Sequence, residues 1–269
     1  MHFGLEQVRR RNTPLPPNVK LRESPNPLPD KEQQYMRDKP YRAVVGSILW
    51  GQVCTRADLA FAGSLLARYQ LNPGREHWAC VEWVAGYILN TLDYAITYQA
   101  PAALTTAPGM GLKPDVYVDS DHAGCQDTYR STSGYVFFMA GAPVSWSSKR
   151  QSTVALSTTE SEYIGLSRAT QQAVWLMSFL AEVDQRQEGP IQMLGDNFGS
   201  VCLTKNSKRH ALVKHIKMRH HYIREKVASR EVNIQRIRSG ENVADIFTKA
   251  LNGTTHSKLV SLLGLDRTE

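Results

Sequence analysis

Asp119, Glu162, Asp196 and Asp245 lie far apart in the chain, each at the edge of an apolar run: Val116-Tyr117-Val118-Asp119, Ser161-Glu162-Tyr163-Ile164, Met193-Leu194-Gly195-Asp196 and Val243-Ala244-Asp245. Carboxylates delivered to one point by separate elements repel one another unless cations neutralise them. Such a cluster is therefore a natural site for hard metal ions. Two Mg2+ ions held close together by oxygen ligands suit in-line displacement at phosphorus: one activates water and the other stabilises the leaving oxygen. Mn2+ favours the same ligands and is the natural substitute.

The elements that must position these acids are legible from periodicity. Pro114–Ser120, Ser133–Ala140 and Pro143–Ser148 are rich in Val, Tyr, Phe and Trp with turn residues between them, and read as three strands. Ser157-Thr158-Thr159-Glu160 is a capping-box string that starts a long helix running to Val183. Ile191–Leu194 reads as a fourth strand and Val232–Ile237 as a fifth. Asn197–Lys205, Ile216–Ser229, Val243–Leu251 and Ser257–Leu263 read as helices. This order predicts a mixed α/β sheet domain over residues 113–269.

Upstream, residues 1–40 carry seven prolines, Pro14 to Pro40, which predict an extended lead with little core material. Tyr41–Trp50, Arg56–Tyr69 and Arg75–Leu92 form a helical block within 41–98; in the last, Trp78, Val81, Ala85, Ile88 and Leu92 make an apolar stripe expected in the core. Residues 99–112 read as a linker.

Two of the four acids have close competitors. Asp121 lies two residues from Asp119 and so on the same strand face, but the strand pattern ends at Asp119. Glu160 competes with Glu162, yet the capping box gives Glu160 a structural task, while Glu162 shares a face with Leu166 and Ala169. Asp119 and Glu162 are preferred.

No apolar run reaches transmembrane length, and Met1-His2-Phe3-Gly4-Leu5-Glu6 lacks the apolar stretch of a signal peptide, so neither a membrane nor a secretory route is expected. Cys54, Cys80, Cys125 and Cys202 form no CxxC pair, which fits a reducing intracellular setting. Net charge is +7, and Lys205 to Lys226 holds eight Lys or Arg against one acid, Glu225, a density that favours a polyanion. Lys214, His215, Arg219, His220 and Tyr222 are the candidate nucleic-acid contacts there. Lys149, Arg150 and Gln151, after the third strand, are a second set. His210, His215, His220 and His221 lack a cysteine pair and make a poor zinc site. Ser120, Ser157, Thr158 and Asn197 are candidate donors to a ribose hydroxyl. Trp146 and Trp175 are expected in the core.

The strings Tyr117-Val118-Asp119-Ser120-Asp121-His122-Ala123-Gly124, Val144-Ser145-Trp146-Ser147-Ser148-Lys149-Arg150-Gln151, Ala155-Leu156-Ser157-Thr158-Thr159-Glu160-Ser161-Glu162-Tyr163 and Ala244-Asp245-Ile246-Phe247-Thr248-Lys249 resemble the ribonuclease H domain of Ty1/copia-type retrotransposon polyproteins. Thr132-Ser133-Gly134-Tyr135-Val136-Phe137, Asp196-Asn197, Lys214-His215-Ile216 and Tyr222-Ile223-Arg224-Glu225 fit the same pattern, in the family's order over about 113–251. Tyr41-Arg42-Ala43-Val44-Val45-Gly46-Ser47 and Thr55-Arg56-Ala57-Asp58-Leu59-Ala60 resemble the thumb and connection of its reverse transcriptase. The resemblance implies a ribonuclease H-like mixed five-stranded sheet flanked by helices, preceded by a small helical thumb/connection block. It also implies cleavage of the RNA strand of RNA–DNA hybrids with Mg2+, with Asp119, Glu162, Asp196 and Asp245 as catalytic carboxylates and metal ligands.

The implied partners are the hybrid and the upstream palm and fingers of the same polyprotein. The implied location is intracellular, either cytoplasmic in a virus-like particle or nuclear. The chain departs from the family in lacking the polymerase palm, and Ser239-Gly240-Glu241-Asn242 stands where cellular ribonucleases H often carry a histidine. The rival readings are a catalytically silent fragment that only binds nucleic acid or connects modules, and a transposase or integrase on the same sheet architecture.

Overall fold

The computed structural model describes residues 3–98, 114–197 and 214–267, without the side chains of 214–217 and 220. The linker at 99–112, all but the first residue of the helix expected over Asn197–Lys205, and Cys202 lie outside the described residues.

The sheet grows from its central strand. Asp115–Ser120 (β2) buries Val116 and Val118 completely on one face. It pairs antiparallel with Thr132–Met139 (β3), which pairs antiparallel with Ala142–Arg150 (β4). On its other side β2 runs parallel to Ile191–Gly195 (β5), and β5 runs parallel to Val232–Arg236 (β6). The resulting order, β4-β3-β2-β5-β6, is the ribonuclease H-like mixed five-stranded sheet expected from the resemblance.

Parallel neighbours need a crossover, and the 25-residue helix Thr158–Glu182 (α5) supplies the one between β4 and β5. Its Tyr163, Leu166, Ala169, Ala173 and Leu176 pack on Val116, Val118, Phe137 and Met193, joined by Ile223 from helix Lys214–Ala228 (α6). The capping string works as read, with one difference. Ser157 Oγ accepts from Glu160 N at 3.1 Å, while the Glu160 carboxylate reaches back to Leu156 N at 2.9 Å.

The upstream helices are Asp30–Met36 (α1), Tyr41–Cys54 (α2), Ala60–Leu66 (α3) and Arg75–Asn90 (α4). The single helix expected over Arg56–Tyr69 is flanked by 3₁₀ turns at Ala57–Leu59 and Ala67–Tyr69. On α4 Trp78 and Val81 of the predicted stripe are buried together with Val84 and Tyr87, while Ala85 and Ile88 are only partly buried. Leu92 lies beyond the helix end and is 70% exposed. The proline-rich lead contributes more to the core than its composition predicts, because Leu15 and Leu21 insert beside Tyr41, Ile48 and Trp78. Gly86 makes room for it, since a Cβ there would stand 2.1 Å from the Arg9 carbonyl oxygen.

The helical block and the sheet share a core. Ala57 and Ala60 pack with Val136, Val243, Ala244, Phe247, Leu259 and Leu263, the last two from and just beyond helix Gly253–Leu262 (α7). Trp146 Nε1 donates to the Gln52 carbonyl at 2.7 Å, and Arg68 donates to Thr132 Oγ1 at 3.1 Å. A short antiparallel pair, Tyr94–Ile96 (β1) with Leu265–Arg267 (β7), ties the end of the block to the end of the chain. Three residues are too few for a periodic signal, so neither strand was expected.

Trp146 is half-buried against this shared core, but Trp175 is 56% exposed, contrary to expectation. It stacks on Phe179 one turn along α5, with ring centroids 5.6 Å apart. In its second half the helix buries Ala173, Leu176 and Leu180, and Trp175 falls off that stripe.

The segment expected as a helix over Val243–Leu251 is a 3₁₀ turn, Val243–Phe247, lying across β3. Gly134 permits this: a Cβ there would stand 2.5 Å from Phe247 Cβ and 2.9 Å from Thr248 Cγ2. Gly134→Ala is expected to cost about 1–3 kcal/mol in urea unfolding. Gly46→Ala, where an added Cβ meets nothing within 4 Å on α2, should stabilise by about 0.5–1 kcal/mol. Equal and small effects at both positions would show that the turn does not press on β3.

Candidate metal centre and active site

Sheet register brings the first two carboxylates together. Val118 on β2 faces Gly195 on the parallel strand β5, so the next residues, Asp119 and Asp196, emerge side by side at one end of the sheet. The third arrives on α5. Its Gly165 lets the helix approach β2 closely, since a Cβ there would meet Ser120 Oγ at 2.5 Å and the Asp119 carbonyl at 3.5 Å. Glu162, one turn earlier, is thereby delivered to the strand end. Carboxylate oxygens of Asp119, Glu162 and Asp196 all lie within 4.8 Å of one another.

Asp245 comes from the 3₁₀ turn rather than from a helix. Asn242 clamps that turn to the central strand: fully buried, it donates from Nδ2 to the Val118 carbonyl at 3.0 Å and accepts from Ala244 N at 3.2 Å. The same turn delivers Thr248, whose hydroxyl donates to the Asp119 carboxylate. It also delivers Lys249, whose Nζ lies 2.9 Å from Asp245 Oδ1 and 3.8 Å from Asp119 Oδ2.

Burial and mutual repulsion set the electrostatics. Asp119 and Glu162 are only 3% and 7% exposed. Burial, then the charges of Asp119 and Asp196, push Glu162 up to about 9. Burial and the Asp119 charge push Asp245 up to about 6. Burial also raises Asp119, against the opposing pull of Lys249 and the Thr248 hydroxyl. Burial works against the Lys249 charge, but Asp119 and Asp245 more than offset it and its pKa is raised. Acids held this far from their ordinary range need positive charge to ionise together. Their all-oxygen donor set fits Mg2+ or Mn2+.

The competitors take other places. Asp121 accepts from Thr132 N near Arg68, and burial raises it to about 6. Gln151, expected on the nucleic-acid surface, is only 1% exposed. Its Nε2 donates to Ser133 Oγ at 2.8 Å and to the Ser161 carbonyl at 2.9 Å, beside Glu162. Ser120 is likewise buried and donates to Ser133 Oγ at 3.1 Å. These two residues brace the site from within and are not available to a duplex.

Lys149 is exposed, while Arg150 is partly buried and donates to Cys125 Sγ at 3.4 Å. Arg219 on α6 is half-buried near Arg168 of α5, whose pKa is lowered by burial and by the Arg219 charge. Tyr222 packs partly against the sheet core. The side chains of Lys214, His215 and His220 lie outside the described residues.

The sequence reading missed Asn242, Thr248, Lys249 and Arg168. Asn242 was detectable: Asn at the start of a helical turn, followed three residues later by Asp245, is a capping arrangement.

No family model matches the chain. Among curated proteins it is 34% identical over 263 residues to the retrovirus-related Pol polyprotein from transposon TNT 1-94 of Nicotiana tabacum, covering 98% of this chain and 19% of that protein. It is 31% identical over 254 residues to the Pol polyprotein from transposon RE2 of Arabidopsis thaliana, covering 94% and 16%. The chain thus spans less than a fifth of these polyproteins. It is also 43% identical over 141 residues to secreted RxLR effector protein 161 of Plasmopara viticola, covering 52% of this chain and 94% of that protein.

Among solved structures, LC11-RNase H1 isolated from compost aligns at 16% identity and a TM-score of 0.40, covering 55% of this chain and 99% of that one. The foamy viral protease-reverse transcriptase in complex with RNA/DNA hybrid aligns at 12% and 0.45, covering 79% and 27%. The fold assignment stands on the strand order, and the family on the polyprotein relatives. Over most of its length the chain is homologous to a segment of copia-type retrotransposon Pol polyproteins, and it carries a ribonuclease H-like mixed five-stranded sheet.

Proposed function

We propose that this chain is the ribonuclease H part of a retrotransposon reverse transcriptase and hydrolyses the RNA strand of RNA–DNA hybrids. The observation that carries the reading is the convergence of Asp119, Glu162 and Asp196 within 4.8 Å, on a ribonuclease H-like sheet, in a chain related to Pol polyproteins.

Bound Mg2+, as a pair in this reading, would supply the Lewis-acid chemistry of phosphodiester hydrolysis by activating water and stabilising the leaving oxygen. The chain's own residues do the rest. Asp119, at the middle of the cluster, orients the site and is held by Thr248. Glu162 and Asp196 converge on it, and Asp245 stands beside it on the turn that Asn242 anchors. Lys149, Arg219 and Tyr222, with Arg168, offer a surface for nucleic-acid phosphates; Lys214, His215 and His220, expected in the same set, have side chains outside the described residues. Such contacts hold the backbone with little sequence preference. The helical block that shares a core with the sheet is the thumb/connection element in this reading, continuous with a palm and fingers upstream.

Asp119→Asn and Asp196→Asn are expected to lower Mg2+-dependent hybrid cleavage by on the order of 10²-fold or more, with the circular dichroism spectrum unchanged. Hybrid binding without cleavage by the unaltered chain would favour the silent-fragment reading, and full cleavage by either variant would remove the assignment.

The raised carboxylates also predict a pH dependence of stability. The folded form of Glu162 keeps its proton from its ordinary 4.5 up to about 9, so across that window the native state binds more protons than the unfolded chain. Its contribution is fully present below pH 4.5 and is lost as pH rises through about 9. In chelator, the melting temperature should fall from pH 5 to pH 9. Glu162→Gln should flatten that slope, and added Mg2+ should raise the melting temperature most at the alkaline end. A slope unchanged in Glu162→Gln would contradict the electrostatic account.

A further inference from the structure

Among the described residues, one cation pairs with the carboxylate cluster. Lys249 Nζ lies 2.9 Å from Asp245 Oδ1 and 3.8 Å from Asp119 Oδ2. These two acids form one edge of the cluster. Among the described residues, the set whose oxygens converge within 4.8 Å is Asp119, Glu162 and Asp196, which shares Asp119 with this edge. We propose that the Lys249 ammonium is an internal counter-cation at the Asp119–Asp245 edge, which a divalent ion can take only by displacing it, whereas the Asp119–Glu162–Asp196 face is open to an ion directly.

The chemistry of the side chain suits this role. A lysine ammonium is a compact point charge on a flexible four-carbon stem, so it neutralises two acids without the fixed fork of a guanidinium. Lys249 is 46% exposed at its side chain, so it can leave the acids for water while its stem stays on the protein surface. The acids cannot follow, because Asp119 is held by Thr248 and the Asp245 turn by Asn242. The lysine is therefore the movable partner. Two ions then meet unequal positions, the second weakened by competition with a tethered positive charge.

This proposal rests on the metal-site reading above, and its test separates the two. The full chain, stripped with chelator, is titrated with Mn2+ by calorimetry and by the electron paramagnetic resonance signal of free Mn2+, with no substrate present. The unaltered chain should show one tighter and one weaker step. Lys249→Met keeps the stem and removes the charge, and should tighten the second step by about tenfold; Lys249→Arg should retain the weak step. If Lys249→Met needs metal to fold, the Mn2+ dependence of its melting temperature supplies the same constant. A second step unchanged in Lys249→Met, with the first step intact, overturns the lysine proposal alone. No Mn2+ binding by any of the three chains, or binding untouched by Asp119→Asn, overturns the metal-site reading and the lysine proposal with it.

Discussion

Like charge brought together out of water is the constraint around which this fold is organised. The parallel register of β2 and β5 sets Asp119 beside Asp196, and α5 adds Glu162 to the same point. Burial raises the energy of ionising Glu162, and the charges of Asp119 and Asp196 raise it further. A sheet end carrying three such groups is unfavourable by itself and is held in place by the packing beneath it. Val116, Val118 and Met193 are fully buried immediately below the acids, against Leu166 and Ala169 of α5.

Small residues and buried amides set the spacing. Gly165 allows α5 to reach the end of β2, and Gly134 allows the turn bearing Asp245 to lie across β3. Asn242 donates to the Val118 carbonyl, and the Gln151 Nε2 donates to Ser133 Oγ and the Ser161 carbonyl, around the acids. The helical block contributes as well, since Arg68 reaches from the 3₁₀ turn Ala67–Tyr69 to Thr132, the residue whose N–H binds Asp121. A shared core and the β1–β7 pair make the block part of the scaffold under the site.

Much of this was legible in the sequence where local pattern and tertiary environment agree. The strands β2 to β6, the start of α5 at Ser157, and the preference for Asp119 and Glu162 over Asp121 and Glu160 all followed from alternation, capping and helical faces. Non-local contacts were not legible. Gln151 looked like an exposed polar residue after a strand, yet it is buried between β3 and α5. Leu15 and Leu21 were hidden in a proline-rich stretch whose packing depends on helices far along the chain. Trp175 looked like core because of its type, but the helix face it occupies is open. Lys249 lies at helical spacing from Asp245, and only the fold shows that it also meets Asp119.

The account depends on the carboxylates acting as one cation-binding unit beneath a nucleic-acid phosphate. Anomalous diffraction from crystals of the chain grown with Mn2+ and an RNA–DNA hybrid tests this most directly. The account predicts anomalous density about 2.0–2.2 Å from oxygens of Asp119, Glu162 and Asp196, with a phosphate of the RNA strand in the same coordination sphere. Manganese bound only elsewhere, with these carboxylates bare beneath the hybrid, would contradict it.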